Sequence, residues 1–175
     1  MREKIEKFPR HYALGGKDTS GGMEQNVFEL EQMCIFMKEK KIQTYLEIGC
    51  AHGYLLRFME NIMLLDVDGI TPDKKPTHYL LPIYYGYSQD KDIISKIGNY
   101  DFIFVDGDHS YEGVKADYEN YKGKCKYMGF HDCEGFRDCE GVKQLWSEIK
   151  DSYEHWYFVD DNKNIASGIG IIKIK

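Results

Sequence analysis

The segment VDGDHSYEG (105–113) sets Asp106, Asp108 and His109 within four residues, directly after the apolar run Phe102, Ile103, Phe104, Val105. A second polar pair, His131-Asp132, follows the run at 126–130. If those runs are neighbouring strands, their ends bring Asp106 and Asp132 over one point. Two unpaired carboxylates that close repel, and a divalent cation resolves the repulsion. Magnesium accepts such oxygen ligands and keeps several positions for water or substrate oxygens. His131 is a third candidate ligand; an imidazole there shifts the preference toward transition metals. Asp108 is a candidate cap for a helix starting near Tyr111.

The other informative stretch is LEIGCAHGY (46–54). It sets Glu47 inside an apolar run, then Gly49, Gly53 and Tyr54 in and after a turn. The glycines let the backbone turn tightly and approach a ligand. The turn is not GxGxxG, since Gly53 falls four residues after Gly49. A carboxylate near the end of a central strand needs a partner, because burying it alone is costly. A nicotinamide dinucleotide would bring a pyrophosphate, which an acid repels. S-adenosylmethionine (SAM) brings an ammonium and a sulfonium, which an acid suits. Further on, LLDVDG offers Asp66 and Asp68 as acids ending a second strand, where one accepts both ribose hydroxyls of an adenosine ligand. Asp68 has the more usual spacing from Glu47. GYSQD then offers Ser88 to an adenine edge.

These residues need a scaffold, and the pattern supplies one. Residues 1–22 read as a loosely ordered segment broken by two Gly-Gly pairs. Residues 23–40 have helical spacing, with Val27, Leu30, Cys34 and Met37 inward and Phe28 and Ile35 beside them. Strands are expected at Thr44–Ile48, 63–67, Tyr79–Tyr85, 101–105 and 126–130, with Thr71–Pro76 a loop. Helices are expected at 53–62, 90–97, 111–122 and 141–153. The run at 101–105 has no alternation, as in a strand buried on both faces. The chain then closes as strand, polar turn DDNKN, strand: an antiparallel hairpin. The fold class is α/β: a Rossmann-like, seven-stranded, mostly parallel sheet with helices on both faces, in one domain over 1–175. Ligands of such sheets sit outside the carboxyl ends of the strands.

Composition narrows the class. The 175 residues are 42% hydrophobic and 30% charged, with a net charge of −6, so no nucleic-acid partner is expected. No apolar run approaches the roughly 20 residues that span a bilayer. The charged start MREKIEKFPRHY has no apolar core behind it, so no signal peptide is expected. Five scattered cysteines without a CxxC pair read as reduced thiols of a cytoplasmic protein, with a Cys133–Cys139 disulfide the less favoured alternative.

LEIGCAHGY resembles the first motif of class I SAM-dependent methyltransferases. The segment YDFIFVDGDHSYEGVKADYENY, with GFHD and GVKQLW after it, is more specific. It resembles the small-molecule O-methyltransferases that include the macrolide-sugar and rhamnosyl enzymes and the cephalosporin hydroxylase-type proteins. The resemblance runs from about Glu24 to the C-terminus. It implies SAM as cofactor, a small-molecule hydroxyl as substrate, a sugar among the candidates, and Mg2+ or Mn2+ held at Asp106, His131 and Asp132. It also implies His109 as the base, with Asp106 bordering the cofactor's methionine part as well. Three departures stand out. Ala51 occupies a position where many methyltransferases have glycine, KCKYMG replaces a Pro-Gly-Gly turn, and His131 stands where the family has an acid. A long N-terminal extension that covers the substrate in several relatives has no counterpart here, from which a homo-oligomer with residues 1–22 reaching a neighbour is expected. Two other readings share these motifs: a hydroxylase-type member with different chemistry, and a non-catalytic subunit that keeps the fold.

Overall fold

The computed structural model describes residues 1–8, 23, 25–72, 81–135, 139–162 and 167–175. A seven-stranded sheet runs in the order β3-β2-β1-β4-β5-β7-β6. Its strands are β1 (Thr44–Ile48), β2 (Asp66–Thr71), β3 (Ile83–Tyr85), β4 (Tyr100–Val105), β5 (Cys125–Phe130), β6 (His155–Phe158) and β7 (Ile169–Lys173). All pairs are parallel except β5–β7 and β6–β7, so the expected antiparallel closing pair is present. Order reverses between β1 and β4, and a ligand crevice belongs outside their carboxyl ends.

Alternation along the strands divides the core. Tyr45, Phe102, Phe104, Ile169 and Ile171 face one side, beneath α1 (Arg2–Lys7), α2 (Val27–Glu39) and α3 (Tyr54–Asn61). Leu46, Ile48, Ile103, Val105, Met128 and Ile172 face the other, beneath α4 (Lys91–Lys96), α5 (Tyr111–Tyr121) and α6 (Glu140–Ile149). The central strands are buried on both faces, which is why the run at 101–105 carries no polar alternation.

Several expectations are corrected. Residues 2–7 form a helix that buries Ile5 and pairs Arg2 with Glu31 at 3.1 Å; residues 9–22 lie outside the described residues. Helix α2 starts later than expected, at Val27, because the Asn26 side chain accepts the amides of Phe28 and Glu29. Ile35 is exposed, whereas Glu29 is fully buried. The second strand is Asp66–Thr71 rather than 63–67. The apolar run Met63-Leu64-Leu65 belongs to the link before it, where Leu64 adopts φ +59 with its side chain in solvent. The third strand is seen at Ile83–Tyr85; Tyr79, Leu80, most of the loop ending at Pro76 and part of the DDNKN turn fall outside the described residues.

Candidate active site

Three contacts bring the ends of β1, β4 and β5 together. The Asp106 amide donates to Ile48 O at 2.8 Å, and the His131 amide to Val105 O at 3.1 Å. Gly49, at φ +89, lies so close to the next strand that a Cβ there would stand 2.1 Å from Asp106 O. The first turn and the Asp106 loop therefore touch through their backbones, and only glycine permits it. The turn holds three left-handed residues: Gly49, Ala51 at φ +43 and Gly53 at φ +77. Ala51 thus adopts a backbone that favours glycine. The amides of Gly49 and Cys50 both donate to Ile70 O. Those two donors are committed to β2 and unavailable to a pyrophosphate, in line with the non-GxGxxG spacing.

Glu47 lies in β1, only 3% exposed, and its Oε2 has no hydrogen-bond partner among the described residues. Burial, with the charge of Asp106 added, pushes its carboxyl well above the usual carboxylate range. An orphaned buried carboxylate beside a ligand crevice calls for a cationic partner. Tyr54 opens α3 directly after the turn.

The second group converges as expected from adjacent strand ends. Among the described residues, Asp106, His109, His131 and Asp132 bring ligating atoms within 4.8 Å of one another. Asp106 Oδ1 is 3.0 Å from His131 Nδ1 and 3.3 Å from His109 Nε2. Asp132 Oδ2 is 3.3 Å from His131 Nδ1 and 3.6 Å from His109 Nε2. Around a small dication with ligands at about 2.1 Å, adjacent octahedral ligands stand about 3 Å apart, so this spacing fits joint coordination. Asp132 adopts φ +59, a left-handed conformation that aspartate tolerates better than most residues. Burial opposes ionisation of Asp106, but His131 and His109 outweigh it and hold its carboxyl below the usual range. Burial likewise pulls both imidazoles down, and the facing carboxylates more than reverse this, raising His109 and carrying His131 well above its usual value.

Neighbouring elements fix these side chains. Ser110 caps α5, its Oγ accepting the Gly113 amide at 3.1 Å. Asp108, expected as the cap, instead accepts the Ser110 amide at 2.9 Å and packs over Gly113, whose added Cβ would fall 2.3 Å from its carboxyl carbon. Helix α6 presses on the same loop through Gly141, where a Cβ would stand 2.2 Å from Tyr111 N.

Four contributors were not anticipated. Gln25 Nε2 donates to Asp106 Oδ2 at 2.6 Å. Cys139 Sγ lies 3.3 Å from both His109 Nδ1 and Asp132 Oδ2; all five cysteines are free, so the Cys133–Cys139 disulfide is not formed. Ser167 Oγ stands 3.2 Å from His131 Nε2 and donates to Glu29 Oε2 at 2.8 Å. No spacing in the sequence marks these residues, which reach the site from distant segments.

Both expected ribose acids, Asp66 and Asp68, lie in β2. Asp66 is the first residue of β2 and exposed, at the amino end of the strand, away from the crevice. Asp68 sits mid-strand opposite Leu46 and accepts from Tyr100 OH at 2.6 Å. The strand ends at Thr71; the next acid in the chain, Asp73, lies outside the described residues. Ser88 is in the β3–α4 turn, its carbonyl accepting from Tyr121 OH at 2.7 Å, while Gln89 donates to Asp117 at 3.2 Å. Helix α5 thereby fastens the turn.

No protein-family model matches the chain, and no curated protein sequence does. Solved structures do. An O-methyltransferase from Bacillus cereus, in complex with SAH, matches with a TM-score of 0.65 at 13% identity, over 92% of this chain and 93% of that one. TomG, an O-methyltransferase of Streptomyces achromogenes involved in tomaymycin synthesis, solved with SAM, gives 0.63 at 11%, over 85% and 80%. The SAH-bound methyltransferase PaMTH1 of Podospora anserina gives 0.59 at 13%, over 87% and 80%. At these identities the likeness is one of fold: the chain has the Rossmann-like fold of class I methyltransferases, as its strand order and closing antiparallel pair require.

Proposed function

We propose that this chain is a SAM-dependent methyltransferase acting on a hydroxyl of a small molecule, a sugar among the candidates, with help from a divalent metal. The observation that carries the reading is the pairing of two features at one switch point: an orphaned buried carboxylate, Glu47, and a four-residue cluster of acids and imidazoles beside it. The solved neighbours with SAM or SAH bound support the cofactor.

In this reading the turn at 49–53 approaches the cofactor's methionine part, and Glu47 balances its positive charge. SAM supplies a methyl group on a sulfonium, an electrophile that needs only an aligned nucleophile. Asp106, His131 and Asp132 would hold the metal, which would lower the pKa of an acceptor hydroxyl and fix its direction. His109 accepts the hydroxyl proton at Nε2, the nitrogen facing both acids, as the O–CH3 bond forms and the C–S bond breaks. Cys139 and the α6 contact keep that ring from turning. Holding both reactants in attack geometry is worth on the order of 7–11 kcal/mol.

Titration calorimetry with SAH tests the cofactor half. One site per chain is expected, with Glu47→Ala abolishing binding. Tight binding of NAD with none of SAH would overturn the reading. Once an acceptor is found, Asp132→Ala should lose metal while keeping the SAH affinity of the metal-free protein, and His109→Gln should keep both ligands while turnover falls by about 10²–10⁴-fold.

A further inference from the structure

Ser167 stands between two groups that both have a use for its hydroxyl, which has one proton to donate. It lies 2.8 Å from Glu29 Oε2 and 3.2 Å from His131 Nε2. Glu29 is fully buried, and backbone donors reach both of its oxygens: Gly168 N–H to Oε2 at 3.0 Å and Asp160 N–H to Oε1 at 3.1 Å. A carboxylate so surrounded acts as an acceptor and takes the Ser167 proton as well. The Ser167 oxygen is then left to accept, and what it accepts is the Nε2–H of His131.

This assignment leaves Nδ1 as the side of the ring that a metal would meet. Nδ1 faces Asp106 Oδ1 at 3.0 Å and Asp132 Oδ2 at 3.3 Å; without an ion it donates a proton there, and a bound dication would take that proton's place while Ser167 keeps the one on Nε2. Three ligating atoms then converge on one point, one of them nitrogen. Magnesium favours an all-oxygen shell, whereas imidazole suits manganese, iron, cobalt, nickel and zinc. We propose that Glu29 and Ser167 are positioning residues that hold His131 as the Nε2–H tautomer, making the cluster a nitrogen–oxygen site that selects a transition-metal dication over magnesium. The inference rests on the metal-binding part of the proposed function, but it concerns only how this chain's own side chains are held.

The test is direct metal binding by the full chain, prepared metal-free, with Co2+ as probe. Its visible absorption reports ligand type without any turnover. Wild type should bind one Co2+ per chain, and a 100-fold excess of Mg2+ should not displace it. Ser167→Ala should weaken Co2+ binding by about 10–100-fold, as is usual when the partner of a ligating histidine is lost. Ser167→Thr, which keeps a hydroxyl, should restore it. SAH affinity, measured on the metal-free proteins, should be unchanged in both variants and so reports an intact fold. His131→Asp should move the preference toward Mg2+. Displacement of Co2+ by equimolar Mg2+, or wild-type Co2+ affinity in Ser167→Ala, would overturn the inference. Failure of the wild type to bind any dication would overturn it together with the metal part of the proposed function. Absence of SAH binding with normal metal binding would instead remove the methyltransferase reading and leave this inference standing.

Discussion

Burial and the neighbouring Asp106 make the Glu47 carboxylate costly to hold, and its Oε2 has no hydrogen-bond partner among the described residues, which has two measurable consequences. Replacing it with glutamine should stabilise the ligand-free protein at pH 8 by about 1–3 kcal/mol, because the cost of burying a carboxyl beside Asp106 is removed. The same change should weaken SAH binding. A higher melting temperature with lower affinity is the expected pair of results, and a variant less stable than wild type would argue that Glu47 is structurally satisfied. Asp117 gives a pH dependence of known sign. Burial raises its carboxyl to about 6, against the donors that Ser88 and Gln89 supply. The folded state therefore holds a proton that the unfolded chain releases near pH 4, so this contribution to stability is present below about pH 4 and fades as pH rises through about 6. A shift of this size amounts to about 3 kcal/mol. Asp117→Asn should flatten the fall in denaturant-measured stability between pH 4 and pH 8; an unchanged fall would place the titration elsewhere.

At the scale of elements, the turns do the positioning. Ala51 at φ +43 occupies a conformation that costs a side-chain-bearing residue about 1–2 kcal/mol. Part of that returns as chain entropy on replacement with glycine, so Ala51→Gly should stabilise by about 0.5–1 kcal/mol with SAH affinity intact, as read by thermal melting. Gly141→Ala should do the reverse. Its new methyl group would collide with the Tyr111 amide and push α6 off the His109 loop, costing about 1–3 kcal/mol. Elements were legible where periodicity and burial agree. Strand β1 falls at the residues its pattern marks, and β4 and β5 come within one. The pattern misplaced β2 because its strongest apolar run, Met63-Leu64-Leu65, is the link, while the strand itself carries Asp66 and Asp68. Within the site, Asp106, His109, His131 and Asp132 were legible because each lies within four residues of the end of a strand with a clear apolar run. Ser167 and Cys139 were not, because sequence spacing gives no sign of which distant loop folds over a strand end. Glu29 was overlooked for a different reason: an acid on a helix reads as solvent-facing until its partners from 160–168 are known.

The whole molecule is organised by the reversal of strand order between β1 and β4. The central strands take most of the burial, whereas β3 is short and lies at an edge. Hydrogen exchange should accordingly be slowest at 45–48 and 102–105, and faster at β3. SAH should slow exchange at 49–54 while leaving β6, at the far edge, unaffected; protection confined to β6 would place the cofactor elsewhere.

The backbone contact between Gly49 and Asp106 has a thermodynamic corollary. The residues proposed to meet SAM and those proposed to hold the metal share one rigid joint, so an ion that orders the Asp106 loop also orders the first turn. Occupancy of the two sites should then be linked, and linkage is reciprocal: whatever factor the metal adds to SAH affinity, SAH must add to metal affinity. A matched increase of about 5–150-fold in both titrations is expected. If the proposed function holds, then in a cell whose free metal is scarce SAM would act as a gatekeeper for the ion, and the chain without SAM would shed its metal as well.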